Sequence, residues 1–361
     1  MERKLASIQR IIEIRPIEGA DAIEVARVNN WDVVVKKGEY NLGDLCVYCE
    51  IDSFLPVREE FEFLRKSSFK RMGDQEGFRL KTIRLRGQLS QGLLLPLEVL
   101  NGEEEMVIGT VEQPWGPQLQ LGPYDDAIVI EEGADVTEVL GIVKYEAPIP
   151  AELSGKIRGN FPSFLRKTDE ERVQNLTKYY NEWVAQDLDF YVTEKLDGSS
   201  ATFYLNEGQF GVCSRNLDLL ETEENTFWKV ARELQIEEKL RATGKNMAIQ
   251  GELIGEGIQG NPYKIKGQTV RFFNAFDIDS QTYYGLPMFL ATMQHQLELE
   301  TVPFVTNLTM KLPKTIDEAL TFAEAKSVLN PDFDREGVVF RTMDRIISFK
   351  AISNKFLLNE K

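Results

Sequence analysis

Phe190-Tyr-Val-Thr-Glu-Lys-Leu-Asp-Gly-Ser-Ser-Ala-Thr-Phe-Tyr-Leu205 is the stretch on which the reading of this chain turns. Aromatic and β-branched residues crowd Phe190 to Thr193, the composition of a strand. Asp197-Gly198 is a turn signal, and Ser200 to Leu205 alternates polar and apolar side chains as a returning strand does. Lys195 therefore sits where a strand enters a tight turn, with Glu194 and Asp197 beside it. A lysine held there, between carboxylates and backbone amides, can be aimed at a ligand. Four such residues also occur by accident in hairpins whose lysine is merely solvated. Partners further along the chain decide between the two.

At 361 residues the length suggests about two domains. Hydrophobic content of 42% and charged content of 28% are those of an ordinary globular protein. No apolar run approaches a membrane helix, and Met-Glu-Arg-Lys-Leu-Ala-Ser at the start lacks a signal peptide's apolar stretch, so a cytoplasmic protein without membrane contact is expected. Three cysteines cannot build a disulfide framework. Cys46 and Cys49, three apart on an expected strand, point to opposite faces and read as buried thiols. His295 is the only histidine, which removes His-rich zinc chemistry and leaves lysine as the better candidate for a covalent nucleophile.

The net charge of −16 argues against coating nucleic acid broadly. Against that background, Arg65, Lys66, Lys70, Arg71, Arg79, Lys81, Arg84 and Arg86 face only Asp74 and Glu76. Such a patch suits local docking on one phosphate backbone; a solvated basic loop is the alternative.

Residues 1–144 read as all-β, with runs at Ala6–Ile14, Ile23–Val28, Trp31–Val35, Asp44–Glu50, Gly77–Leu85 and Gly92–Leu95 separated by turn residues. Residues 145–167 read as a linker and entry segment, and 168–361 as an α+β domain with a mainly antiparallel sheet. A capping box, Thr168 with Glu171, predicts a helix through Val173, Leu176, Tyr180 and Trp183. Further helices are expected over Thr222–Thr243, stopped by Gly244, over Leu286–Glu300, and after Thr315 with Glu318. Strands are expected at Met247–Ile254, Thr269–Ile278, Gly337–Thr342 and Arg345–Ala351. Gly255-Glu-Gly257-Ile-Gln-Gly260 matches a dinucleotide fingerprint literally, but Asn261-Pro-Tyr-Lys follows where a helix is needed. It reads as a glycine-rich loop.

The partners of Lys195 come in a fixed order. Lys195-Leu-Asp-Gly198 is followed by Ser214-Arg-Asn216, Gln250-Gly-Glu-Leu253, Phe272-Phe-Asn-Ala-Phe-Asp-Ile278, Arg335-Glu-Gly-Val-Val-Phe340 and Ser348-Phe-Lys-Ala-Ile-Ser-Asn-Lys355. The series resembles the nucleotidyltransferase motifs of covalent ligases and capping enzymes, over most of Phe190 to Lys355. Within that superfamily it is most similar to the ATP-dependent RNA ligases of the Deinococcus and Naegleria type. The arginine that follows K-x-D-G in typical DNA ligases is missing. Ile83-Arg-Leu-Arg-Gly-Gln-Leu-Ser-Gln-Gly92 and Phe161-Pro-Ser-Phe-Leu-Arg-Lys-Thr-Asp-Glu-Glu-Arg-Val-Gln-Asn175 look family-like, and only six residues follow Lys355. Glu18 to Val28 resembles the opening of OB-fold modules of the tRNA-binding type, so the first domain is expected to be an OB-like barrel, a fold suited to tracking a nucleic-acid backbone.

The resemblance implies a multidomain protein: the OB-like barrel, then an ATP-grasp-like nucleotidyltransferase domain. It implies that Lys195 takes AMP from ATP, passes it to a 5′-phosphate, and that a 3′-OH then seals the strand, with Mg²⁺ or Mn²⁺ present. The expected partner is RNA, at a nick in a duplex with RNA on the 3′-OH side, and a monomer is expected. Asp197, Glu252 and Glu336 would hold the metal's waters or the ribose hydroxyls, since Mg²⁺ keeps several waters. Phe276, with Phe273 as the alternative, would stack on adenine unless either is core. Glu194 and Arg215 would help bind nucleotide, Lys350 and Lys355 would contact the phosphates, and Lys167 and Arg172 would line the entrance. An ordinary lysine, with its reference pKa near ~10.4, is protonated at neutral pH. Lys350, Lys355, Arg215 and the metal are expected to favour the neutral amine by like-charge repulsion and to stabilise charge on the phosphate. The competing readings are a DNA ligase or guanylyltransferase of the same superfamily, and a non-catalytic RNA binder with a decayed ligase domain.

Overall fold

Ala6–Pro16 forms strand β1, which serves two neighbours in turn. Its first half pairs with β4 (Leu45–Cys49), and its second half pairs with β2 (Ile23–Val28) across an irregularity between Ile11 and Glu13. A bulge bends a strand and increases its twist, which is how one long strand turns a barrel's corner. The computed structural model describes residues 4–100, 108–113, 116–121, 128–146 and 157–359. The chain divides into two units, Met1–Ile149 and Pro150–Lys361.

In the first unit β3 (Trp31–Lys36) extends the sheet beyond β2, and a late strand, Leu93–Leu95, closes its other side against β4. Hairpins carry the rest: β5 (Ser53–Pro56) pairs with β7 (Gln75–Arg79), which pairs with β6 (Phe69–Met72). β8 (Thr82–Leu85) turns at Arg86-Gly87 into β9 (Gln88–Gln91), and the Val34 N–H donates to Ser90 Oγ at 3.0 Å. The run expected over Gly77–Leu85 is thus two strands, broken at Leu80-Lys81, where buried Leu80 pairs its backbone with Ser53. Ile8, Val47, Leu55, Phe61 and Phe78 fill the interior of this OB-like barrel. Cys46 and Cys49 are buried and reduced, and burial pushes the Cys46 thiol up to about 12.

The described residues of the second unit form two mainly antiparallel sheets, each backed by helices on one face. The larger has seven strands: β15 (Ile157–Asn160), β20 (Leu217–Leu219), β19 (Gln209–Cys213), β18 (Ser199–Asn206), β21 (Met247–Gly255), β22 (Gln268–Asp277) and β23 (Thr282–Tyr283), in that spatial order. Phe203, Val212, Ile249 and Phe272 on its outer face pack on Trp228, Leu240 and Phe289 of helices α3 (Thr226–Glu233), α4 (Ile236–Thr243) and α5 (Leu286–Ala291). The smaller sheet places β17 (Asp189–Lys195) beside β25 (Gly337–Thr342), with β26 (Ser348–Ile352) next and β16 (Glu171–Arg172) at its edge. Its outer face, with Phe190, Val192, Phe340 and Phe349, packs on α2 (Thr177–Ala185) and α6 (Ile316–Ala323). The fold is therefore an OB-like barrel followed by an α+β antiparallel unit, as expected.

Several local expectations are corrected. Thr168 caps no helix: its Oγ1 lies 3.0 Å from Ser200 Oγ, while Glu171-Arg172 pairs in parallel with Phe349-Lys350. Strand pairing satisfies the backbone there, and α2 starts only at Thr177. The helix expected over Thr222–Thr243 is two helices. Asn225 caps the first by accepting from Phe227 and Trp228 N–H, and Gln235 at φ 54° breaks the run before Gly244 ends the second. Leu286–Glu300 holds a six-residue α-helix and a π-helical turn, with His295 exposed on it. Thr315 does cap α6, accepting from the Glu318 N–H at 3.2 Å. Within 145–167, residues 147–156 lie outside the described residues, and Ile157–Asn160 form the edge strand β15.

Candidate active site

The two sheet faces that carry no helices meet, and the strand register decides which side chains they present. Lys195 pairs with Gly337 and Thr193 with Val339, which in turn pairs with Lys350. Alternation therefore puts Lys195, Thr193, Arg341 and Lys350 on one face of the smaller sheet. In the larger sheet Ser200 pairs with Glu252, and Thr202 with Gln250, giving its inner face the same polar character. Between β17 and β18 the chain must turn at Asp197-Gly198 against β21. A Cβ on Gly198 would lie 2.4 Å from Leu253 O and 2.9 Å from Glu252 Cγ, so only glycine lets the turn press this close.

Lys195 Nζ lies 2.7 Å from Glu336 Oε1, and its side chain is 28% exposed. Burial works against its charge, but Glu336, Glu252 and Asp197 outweigh it and raise the amine above its ordinary value. The resting side chain is an ammonium ion. Glu252 is shifted upward as well, which for a carboxyl favours the neutral form. Burial, with Glu336 and Asp197 nearby, pushes its carboxyl up to about 8 despite the stabilising charge of Lys195.

Of the cations expected near the amine, Arg215 pairs with Asp169, and Lys355 reaches Glu324 at 3.4 Å with 63% of its side chain exposed. Lys167, expected at the entrance, donates to Asn216 Oδ1 at 3.0 Å. Lys350 shares the Lys195 face through its register, and buried Arg172 pairs its backbone with Lys350 at the sheet edge. Glu194 turns away from the face: it is 1% exposed, and its Oε2 accepts from the Val328 N–H at 2.7 Å. Burial raises its carboxyl too.

Of the two aromatic candidates, Phe276 is 1% exposed and packs with Leu165, Tyr204 and Ala248 under Arg166. It takes the core alternative. Phe273 is half-buried beside Leu196, Ile254 and Tyr263, with the Arg341 guanidinium 5.9 Å from its ring centre. Gln250 pairs with Asn274 and Gly251 with Phe272, so Phe273 is the extra residue of the irregularity in β22, while Phe276 keeps its regular pairing with Ala248.

One group of residues escaped the sequence reading. Glu170 accepts from Arg345 at 2.9 Å and from Arg341 at 3.3 Å, and Arg345 also reaches Asn274 Oδ1 at 3.0 Å. Asn274 donates to Gln250, Gln250 donates to Arg166 O, and Arg341 donates to Thr193 Oγ1. This network ties the 166–172 segment to both sheets. The available signal was the spacing of Arg341 and Arg345 across a short turn, where Arg345 adopts φ 65° and points inward.

The basic stretch of the first unit divides. Arg79 is only 12% exposed, paired with Asp52 at 3.0 Å and stacked on Tyr145, which is a structural role rather than a surface one. Arg65 pairs with Glu62 and Arg71 with Glu76, both at 2.6 Å. Lys66, Lys70, Arg84 and Arg86 are exposed and Lys81 is half-buried. Arg84 and Arg86 lie on the β8–β9 hairpin with exposed Ile83 and Leu85.

Among the described residues no three His, Cys, Asp or Glu side chains form a ready-made metal cage, and no helix is long and apolar enough to cross a membrane. Comparison with known proteins adds the following. A family described as RNA ligase matches residues 188–356, and one described as an OB-fold domain matches residues 5–97. No curated protein sequence matches. Among solved structures, a mutant Naegleria gruberi RNA ligase with AMP and Mn is 40% identical, with a TM-score of 0.84 and 99% of each chain covered. Another mutant of that enzyme, with ATP and Mn, is 41% identical at a TM-score of 0.84, again over 99% of each chain. The same enzyme with pyrophosphate is 41% identical at a TM-score of 0.83, over 99% of this chain and 98% of that one. Identity of 40% sustained along both units, with the matched segment enclosing Lys195 and its three carboxylates, settles the lineage: this chain belongs to the RNA ligase family.

Proposed function

We propose that this ATP-dependent RNA ligase joins a 3′-OH to a 5′-phosphate, at nicks in duplexes with RNA on the 3′-OH side, by carrying AMP on Lys195. The observation that supports it most directly is the Lys195 ammonium, held 2.7 Å from Glu336 at the mouth of the β17 turn with Asp197 and Glu252 beside it. The complexes of the Naegleria relative with ATP, AMP and pyrophosphate match the substrate and both fragments of such a step.

In the first step the Nζ ammonium gives up one proton along its contact with Glu336 and attacks the α-phosphorus, and the nitrogen releases a second proton to solvent as the phosphoramidate forms. An N–P bond forms, the bond from the α-phosphorus to the bridging oxygen breaks, and pyrophosphate leaves with that electron pair. A 5′-phosphate oxygen of the RNA then attacks the same phosphorus, the N–P bond breaks, and Nζ takes back the pair and is reprotonated. Finally the 3′-OH loses its proton and attacks the 5′-phosphorus, the bond from that phosphorus to the bridging oxygen breaks, and AMP departs with the pair. Lys350 on the shared face would meet the phosphates, and Phe273, the half-exposed ring, would stack on adenine.

The donor set fits a divalent cation held through water. Three carboxylates face one ammonium, and the raised Glu252 carboxyl marks a place where added positive charge is favourable. Asp197, Glu252 and Glu336 would hold the ion, which when bound offsets the charge on the phosphates. The test is covalent labelling with α-labelled ATP, GTP or NAD. ATP should label the wild type, and Lys195→Ala should stay folded and unlabelled. Labelling of that variant, or labelling only from GTP or NAD, would refute the assignment.

A further inference from the structure

The loop that mimics a dinucleotide fingerprint has a use in this fold. Residues 255–267 leave β21 and return to β22 through a closed base, where the Glu256 N–H donates to Gly267 O at 2.7 Å. Gly255, at φ 123°, allows that closure: a Cβ there would lie 2.2 Å from Gly267 O. Inside the loop Asn261 N–H donates to Ile258 O at 2.7 Å, Asn261 Oδ1 accepts from the Ile265 N–H, and Asn330 Nδ2 anchors Pro262 O at 2.7 Å. A loop closed at its base and bonded within is a rigid surface element rather than a floppy connection.

What it presents is Tyr263. The ring is 4% exposed, set among Leu196, Ile254 and Val302 and edge-on to Phe333. Its hydroxyl accepts the Asp197 backbone N–H at 2.6 Å. On the next residue Gln259 Nε2 approaches Gly198 O at 3.4 Å, and the lack of a Gly198 side chain lets β21 close the remaining side. The Lys195–Gly198 turn is thus held by its backbone from the loop and by steric contact from the sheet.

We propose that Tyr263 is a positioning residue for lysine adenylylation, fixing the turn so that Lys195 Nζ and the Asp197 carboxylate keep their mutual geometry as the nucleotide arrives. This rests on the assignment of Lys195 as the AMP carrier. The backbone N–H of Asp197 cannot be supplied by any side-chain change at that residue, so its acceptor is the point at which the turn can be loosened without touching the reacting groups. A small displacement of a nucleophile from its attack line lowers the rate steeply while leaving nucleotide contacts in place.

The test is Tyr263→Phe, which keeps the ring and removes the hydroxyl that accepts from Asp197. Single-turnover formation of the covalent AMP adduct is followed over a range of ATP concentrations, with thermal unfolding measured alongside. The maximal rate should fall about tenfold or more, with half-saturating ATP close to wild type and the variant still folded at the assay temperature. A maximal rate within about twofold of wild type overturns the proposal. So does a loss seen wholly as weaker ATP saturation or as unfolding at the assay temperature. If the wild-type protein itself forms no adduct on Lys195, the assignment of that lysine fails instead, and the two failures are told apart by the wild-type lane.

Discussion

Glu252 offers the sharpest quantitative handle on the site, because its surroundings favour the neutral acid until something positive arrives. Its carboxyl is pushed up to about 8 from an ordinary 4.5, by burial first and then by Glu336 and Asp197, against the opposing pull of Lys195. A folded-state value above the unfolded one means that its contribution to stability is fully present below about 4.5 and is lost as pH rises through about 8. Between those limits the unfolded chain carries the anion while the folded chain retains the proton. One such group costs up to about 1.4 kcal/mol per pH unit, hence roughly 2–3 kcal/mol between about pH 5.5 and 7.5. Glu252→Gln keeps the shape and removes the titration. Denaturant unfolding of metal-free wild type and variant across that range should show wild type losing stability relative to the variant by about that amount. Adding Mg²⁺ or Mn²⁺ should recover the difference in wild type alone, with release of about one proton per ion at neutral pH, read by calorimetry in two buffers of different ionisation enthalpy. Parallel pH profiles, or metal binding without proton release, would show that Glu252 is already ionised and refute the reasoning.

Three further outcomes follow from other parts of the molecule. Glu170→Gln leaves the Arg341 and Arg345 guanidinium groups, only 3% and 7% exposed, without their shared anion, and should cost about 3–5 kcal/mol in urea unfolding. Burial would raise the Glu170 carboxyl, but Arg345, Arg341 and the Ser348 hydroxyl hold it below the usual carboxylate range. Its contribution is therefore present above the ordinary glutamate value and lost as pH falls through the lower folded one, and wild type and variant should converge in acid. Removal of residues 1–149 should spare covalent AMP attachment and impair joining at a nick, as measured by gel assay on nicked RNA. Arg84→Ala with Arg86→Ala should lower the slope of log affinity against log salt by up to about 2 in filter binding, since each phosphate contact contributes about 0.9.

The strands were legible because each carries its own alternation, and the order of motifs around Lys195 placed Glu252 on the strand beside β18 and Glu336 directly ahead of the strand beside β17. Thr315 and Glu318 were legible as a helix start for the same local reason. Thr168 and Glu171 carry the same signal and form no cap, since Glu171 and Arg172 pair with β26, more than 170 residues later in the chain. Local chemistry does not say which long-range partner will claim a backbone. Phe276 and Phe273 show a related limit: Phe276 is regularly paired and packed in the core, whereas half-buried Phe273 is the unpaired residue at a slip against β21, and no composition reveals a slip. The basic stretch reads as one patch in sequence, yet Arg79 is folded inward onto Asp52 while Arg84 and Arg86 stand on a hairpin.

The electrostatics of Lys195 change what the reaction has to overcome. A neutral amine prepared by neighbouring cations would be reactive at rest, toward water-borne electrophiles as well as nucleotide. Here the amine rests as an ammonium ion among carboxylates, with Glu336 in direct contact. The same carboxylates are strained by their own proximity, as the raised Glu252 carboxyl shows. A divalent ion and the triphosphate entering together would bring opposite charges to opposite parts of this cluster. The ion would satisfy the carboxylates and weaken their hold on the ammonium proton, while Lys350 remains to meet the phosphates. If Lys195 carries AMP as proposed, its protonation acts as an interlock: the amine gives up its proton readily only once the ion is in place. On this argument the pH at which adduct formation is half-maximal should fall as metal concentration rises, with little change at a fixed saturating metal level when ATP alone is varied. Stopped-quench measurement of the adduct over a pH series at several metal concentrations would show it, and a midpoint indifferent to metal would mean that the amine loses its proton by another route.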